Sequence, residues 1–235
     1  MNDEKNCQLF CLAYSGGKTT VFKEIGNLLN NNIEKHYIEY PGRCTRAKEP
    51  FIRDYNEFLD DIAMQISARR NNNLPCAVFG YSIGALFAYD LVARGMIGGE
   101  IKHIFLGGSC SADLHEKVSI TLSGLGEPEF WDKVISMGGV SEALIANKKF
   151  LKLFSKTLRA DFYLGEQYVF DDKLPLPDCS ATILYSDNDT PKETVIGWNK
   201  LFGGNVDFEE YDGDHFFAFE DYKRTANIIN ERLHA

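Results

Sequence analysis

The sequence predicts an α/β protein with a mostly parallel central sheet flanked by helices and a helical insertion ahead of its last strands. Three observations carry this expectation. Short apolar runs alternate with helical stretches from the start, the rhythm of a parallel sheet covered on both faces. The run Gly80-Tyr81-Ser82-Ile83-Gly84 stands between an apolar strand and a helix former, the context of a nucleophile elbow. From about Asp113 to Asp172 the alternation stops in favour of helical stretches rich in Leu, Phe and Ile, then resumes.

Taken in order, Gln8–Leu12 is a first buried strand, ending in Ala13-Tyr14-Ser15-Gly16-Gly17, whose glycines let backbone lie close to a ligand. Val21, Phe22, Ile25, Leu28 and Leu29 recur at helical spacing. His36–Tyr40 reads as a second strand closed by Pro41-Gly42-Arg43, and Arg43, Arg46 and Lys48 read as solvated surface. Ile52, Tyr55, Leu59, Ile62 and Ile66 form the apolar stripe of a helix ending near Arg70. Cys76–Phe79 is the strand before the elbow, Ala85–Ala93 the helix after it, and Lys102–Leu106 the next strand.

In the insertion, Trp131, Val134 and Ile135 are expected on one face, as are Leu144 and Ile145, then Phe150, Leu151 and Phe154. A helical insertion between core strands serves as a lid over such a site. The core resumes with Ala181–Tyr185, a helix holding Trp198 and Leu201, the strand Val206–Tyr211, and a last helix through Tyr222, Ala226, Ile229 and Leu233. The expectation is one domain over residues 1–235, with 113–172 as the lid.

Charge and composition narrow the class. A formal net charge of −9 argues against a nucleic-acid binder and against adhesion to an anionic membrane. No apolar run approaches the ~18 residues that span a bilayer, and the charged start, Met1-Asn2-Asp3-Glu4-Lys5, is unlike a signal peptide. The six cysteines lack zinc-ligand spacing. A reduced, cytoplasmic enzyme without a metal is the expectation.

A serine hydroxyl needs a base to act as a nucleophile. Of the five histidines, His36 lies in a strand, His103 starts one, His115 enters the insertion and His234 ends the chain. His215 follows a late strand in the polar turn Asp212-Gly213-Asp214, and the chain order serine, acid, histidine selects it. Asp187 and Asp189 both qualify as the acid; Asp189, further out in the loop before Thr190-Pro191, is preferred. The oxyanion hole is expected from the backbone N–H groups of Ile83 and Ser15. These parts specify acyl transfer through an acyl-enzyme on Ser82.

Several segments resemble the type II thioesterases, the editing enzymes of nonribosomal peptide and polyketide synthases, which belong to the α/β-hydrolase superfamily. They are Tyr14-Ser15-Gly16-Gly17, Tyr40-Pro41-Gly42-Arg43, the elbow, Leu158-Arg159-Ala160-Asp161-Phe162 with Glu166 and Tyr168, Trp198, and Gly213-Asp214-His215-Phe216-Phe217. The chain departs from that pattern at Ala13 and Ser15, where proline and alanine are common, and at Tyr81 and Ile83, where histidine and methionine are. The family's acid motif ends in aspartate, which supports Asp189. The resemblance implies an α/β-hydrolase fold and hydrolysis of acyl or aminoacyl thioesters on the phosphopantetheine arm of carrier proteins. It implies no cofactor.

Docking on an acyl or peptidyl carrier protein is expected to be transient and made by a monomer, with Arg43 and Arg46 as contributors; no nucleic acid or membrane takes part. The rival readings are a medium-chain fatty-acyl carrier-protein thioesterase, a small-ester hydrolase and a non-catalytic synthase-docking protein.

Overall fold

The computed structural model describes residues 5–138 and 147–234. Six strands form one sheet in the order β2-β1-β3-β4-β5-β6, every neighbouring pair parallel. They are β1 (Cys7–Leu12), β2 (Ile33–Tyr37), β3 (Cys76–Tyr81), β4 (Ile101–Gly107), β5 (Ser180–Tyr185) and β6 (Val206–Glu210). β1 and β3 are buried at every position, as continuous apolar runs require, whereas the edge strands β2 and β6 are mostly half-buried. The second strand starts and ends three residues earlier than expected. Ile38 still donates to Cys11 at 3.1 Å, but Tyr40 beyond it turns inward and its hydroxyl donates to the Ala13 carbonyl at 3.0 Å.

The helices follow from their apolar stripes and caps. α1 spans Lys23–Leu28 and is entered through a 3₁₀ turn, Thr19–Phe22. α2, Tyr55–Ser67, starts where Asp54 accepts the Glu57 N–H at 2.9 Å, and buries Phe58, Leu59, Ile62 and Ile66. α3, Ile83–Ala93, is apolar on nearly every side and lies in the core against β3. The segment around Trp198 is a 3₁₀ helix, Ile196–Leu201.

Residues 113–172 contain no strand among those described. They hold α4 (His115–Val118), α5 (Glu127–Ser136) and the long α6 (Lys148–Glu166). Leu122, Phe130, Val134 and Leu158 form a second small core here, with Trp131, Phe154 and Phe162 packed against it. Ile135 does not join Val134 in it and is 38% exposed. Leu144 and Ile145 lie outside the described residues. Beyond β5 come α7 (Lys192–Val195), α8 (Phe217–Glu220) and α9 (Tyr222–His234).

Candidate active site

β3 ends at Tyr81 and α3 begins at Ile83, so Ser82 alone makes the turn between them. Its backbone sits at φ 56°, ψ −122°, a conformation that costs a non-glycine residue roughly 1–3 kcal/mol. The flanking glycines are required by contact. A Cβ on Gly80 would stand 2.1 Å from the Gly84 carbonyl oxygen, and one on Gly84 would stand 2.4 Å from that of Leu12. Both obstacles are backbone. The Ser82 N–H donates to the Gly107 carbonyl at 2.7 Å, which ties the strained turn to the neighbouring strand end.

Two loops at the same edge of the sheet bring in the other candidates. In the loop after β5, an Asp189 carboxylate oxygen lies 2.8 Å from His215 Nδ1. Asp187, the alternative acid, accepts at 2.8 Å from the N–H of Lys192, the first residue of α7. The His215 loop is held from both sides. Ser186 Oγ donates to the Gly213 carbonyl at 2.6 Å, and the Tyr81 hydroxyl donates to the His215 carbonyl at 2.8 Å. Tyr81 is fully buried, and Gly107 and Gly108 leave room for its ring, since a Cβ on either would approach it within 2.7 Å.

Ser15, Ser82, Ile83, Asp189 and His215 line one cavity of about 680 Å³. Leu86, Val118, Ile120, Leu122, Met137 and Phe162 give it apolar walls. Ile83 is the first residue of α3, where a backbone N–H has no intrahelical acceptor. A second histidine, His115, also faces the cavity. Its Nε2 is 3.1 Å from the Gly165 carbonyl, and burial holds its pKa below the usual range.

The expected surface cluster at Arg43 is corrected by the structure. Arg43 is 5% exposed and Asp161 of α6 is 2% exposed. The two form a two-pronged ion pair, Nη1 to Oδ2 at 2.8 Å and Nη2 to Oδ1 at 2.5 Å. Burial disfavours the Arg43 charge, but Asp161 beside it outweighs this and raises its pKa. Asp161 Oδ2 also accepts the Gly16 N–H at 2.6 Å, and Arg43 Nη1 donates to the Gly17 carbonyl at 3.0 Å. Arg46 is held as well, by both oxygens of Asp61 at 2.6 Å, by Glu49 and by the Glu39 carbonyl. Neither arginine presents a free charge for docking.

The joining of Arg43 to Asp161 lies beyond sequence reasoning, because 118 positions separate them. The signal available was their membership of two motifs foreign to the elbow. Glu166 belongs here too. It lines the cavity and accepts the N–H groups of Leu122 and Ser123 at 2.7 and 2.8 Å, while Arg159 donates to the carbonyls of Ser123 and Leu125 at 2.8 and 2.7 Å.

Comparison with known proteins agrees with the geometry. Linear gramicidin dehydrogenase LgrE of Brevibacillus parabrevis is 27% identical over 240 residues, covering 99% of this chain and 90% of that protein. The medium-chain S-acyl fatty acid synthase thioesterase of Rattus norvegicus is also 27% identical, covering 93% of this chain and 84% of its own. The crystal structure of ClbQ from the colibactin NRPS/PKS pathway superposes with a TM-score of 0.90 at 24% identity, covering 98% of each chain. The thioesterase domain family matches residues 7–234. The chain therefore belongs to the thioesterase domain family, as a serine-dependent thioester hydrolase on an α/β-hydrolase fold.

Proposed function

We propose that this thioesterase hydrolyses acyl or aminoacyl groups from the phosphopantetheine arm of carrier proteins, clearing stalled or misloaded groups from nonribosomal peptide or polyketide synthases. The observation that carries the chemistry is the 2.8 Å contact of His215 with Asp189 in the cavity that also holds Ser82 at its strained elbow.

In this reading Asp189 accepts the Nδ1–H of His215, which leaves Nε2 as the lone pair that takes the Ser82 proton. Ser82 Oγ adds to the thioester carbonyl carbon, and the oxyanion accepts from the N–H groups of Ile83 and Ser15. The C–S bond breaks, the thiolate leaves with the proton from His215, and the acyl group stays on Ser82. Water, deprotonated by His215, then releases the acid and restores the serine. Residues 113–172 act as the lid, within a single domain. The sequence after β1, Ala13-Tyr14-Ser15-Gly16-Gly17-Lys18, is not the Gly-x-Gly-x-x-Gly of a dinucleotide site, so the dehydrogenase in the name of LgrE finds no support in these residues.

The carrier-bound substrate rests on the motifs around Arg43 and Asp161 and on the apolar-walled cavity. The same apolar walls favour a second reading, medium-chain fatty-acyl carrier protein, in line with the name of the rat relative. For docking, the basic surface lies on α6 rather than at Arg43 and Arg46. Lys149, Lys152 and Lys156 are exposed, take no part in the ion pairs among the described residues, and surround Leu153, which is 69% exposed. No carboxylate interrupts the sequence from Lys148 through Ala160. That face suits transient contact with an acidic carrier domain. No helix among the described residues is long and apolar enough to cross a membrane. A monomer acting in the cytoplasm fits this reading.

The test is a substrate panel: acetyl-, aminoacyl- and octanoyl-loaded carrier protein, the matching acyl-coenzyme A, and a simple aryl ester. Higher kcat/KM on the short or aminoacyl carrier-bound thioesters is the expected result. Preference for octanoyl carrier protein would favour the second reading, and equal rates on the aryl ester would sink both.

A further inference from the structure

The oxyanion loop is braced almost entirely from outside the cavity. The Ala13 carbonyl accepts from Tyr40 at 3.0 Å, the Gly17 carbonyl from Arg43 at 3.0 Å, and the Gly16 N–H donates to Asp161 at 2.6 Å. The loop closes on itself through the Gly17 N–H to the Tyr14 carbonyl at 2.8 Å. Gly16, at φ +75°, lies so close to α6 that a Cβ on it would come within 2.8 Å of Leu158 and Phe154. Ser15, which lines the cavity, sits between these anchored positions.

Two charges removed from water are a poor way to gain stability, because desolvation offsets most of their attraction. A forked Arg–carboxylate pair does fix orientation, since both hydrogen bonds constrain one plane. Here one oxygen of that carboxylate also holds a backbone amide next to Ser15. The carboxylate is carried by α6, the helix whose Arg159 and Glu166 hold residues 122–125 over the cavity and whose Phe162 lines it. The clamp thus joins the roof of the cavity to the loop expected to supply an oxyanion donor.

We propose that Asp161, locked by Arg43, is a positioning residue that sets the Ser15 N–H for the transition state and ties it to the helix roofing the acyl cavity. The inference rests on the acyl-transfer reading of the site. Asp161 touches no reacting atom in this scheme; it acts through Gly16.

The test uses the double variant Arg43→Met/Asp161→Leu, which fills the same space without stranding a buried charge, as replacement of a buried pair by apolar residues is often tolerated. Arg43→Lys, which keeps the charge and loses the fork, serves as the milder second variant. Each is assayed on an acyl-pantetheine thioester and titrated with a trifluoromethyl ketone analogue, which forms a tetrahedral adduct with the serine. Losing one well-placed oxyanion donor lowers turnover by on the order of 10²–10³. The double variant is expected to lose about 10²-fold in kcat with KM within about threefold, and to lose ketone affinity by the factor lost in kcat/KM. Arg43→Lys should fall between it and the wild type on both readouts. Unchanged kcat in a folded double variant, or a loss confined to KM, overturns the inference. So does a kcat loss with ketone affinity unaltered. Turnover that persists in Ser82→Ala would instead remove the acyl-transfer reading, a separate result.

Discussion

Relief of strain at Ser82 should separate two inactive variants by their stability. Ser82 holds φ 56°, ψ −122°, and the conformation is imposed by the close approach of Gly80 to Gly84 and of Gly84 to Leu12. Such a backbone costs a non-glycine residue about 1–3 kcal/mol. Glycine adopts it freely but gives up about 0.5–1 kcal/mol through the added freedom of the unfolded chain. Ser82→Gly should therefore be more stable than Ser82→Ala by about 1 kcal/mol, because alanine removes the hydroxyl and keeps the strain. For a chain of this size that difference is about 2–4 °C in Tm. Both variants should be inactive. Paired thermal and urea unfolding of the two gives the answer, and the alanine variant proving equal or more stable would refute the strain argument.

Three further outcomes follow from the geometry. Asp189→Asn should lower kcat by about 10⁴, while Asp187→Asn should leave turnover within a few-fold and weaken only the start of α7; steady-state kinetics on both variants decide. Lys152→Glu/Lys156→Glu should raise KM for a loaded acidic carrier protein about tenfold and steepen no response on acyl-pantetheine, and equal KM on the carrier would remove α6 as the docking face. His103, buried against Thr182, has its pKa pushed down to about 4 by burial. The unfolded chain then binds the proton first, near its ordinary pKa of about 6.5, so stability falls as pH drops from there towards 4. At pH 5 the loss from this one group is about 2 kcal/mol relative to pH 8, and urea titrations of His103→Phe across that range should be flatter than those of the wild type.

Much of this was legible in the chain because it rests on local pattern. Apolar runs gave the sheet, and the spacing of Gly80, Ser82 and Gly84 gave the elbow, since backbone contact leaves no other residue choice at either glycine. Asp189 and His215 were reachable through chain order, although 26 residues part them. The pairing of Arg43 with Asp161 was not, because a basic cluster on a loop reads as solvated whatever lies across the fold. The hold of Tyr81 on the His215 loop was not legible either, because its hydroxyl reaches a main-chain carbonyl far along the chain, a partner with no side-chain signature. Arg46 illustrates the same limit at shorter range, as Asp61 meets it from the next helix, 15 positions further on.

Ser82 is proposed to carry the acyl group during thioester hydrolysis. The most direct measurement is intact-protein and peptide mass spectrometry of the enzyme quenched in acid during turnover of an acyl-loaded carrier protein. The expected result is a mass increase equal to the acyl group, located on the peptide holding Gly80-Tyr81-Ser82-Ile83-Gly84 and absent from Ser82→Ala. Acyl release that continues undiminished in Ser82→Ala, or an adduct on any other residue, would contradict it.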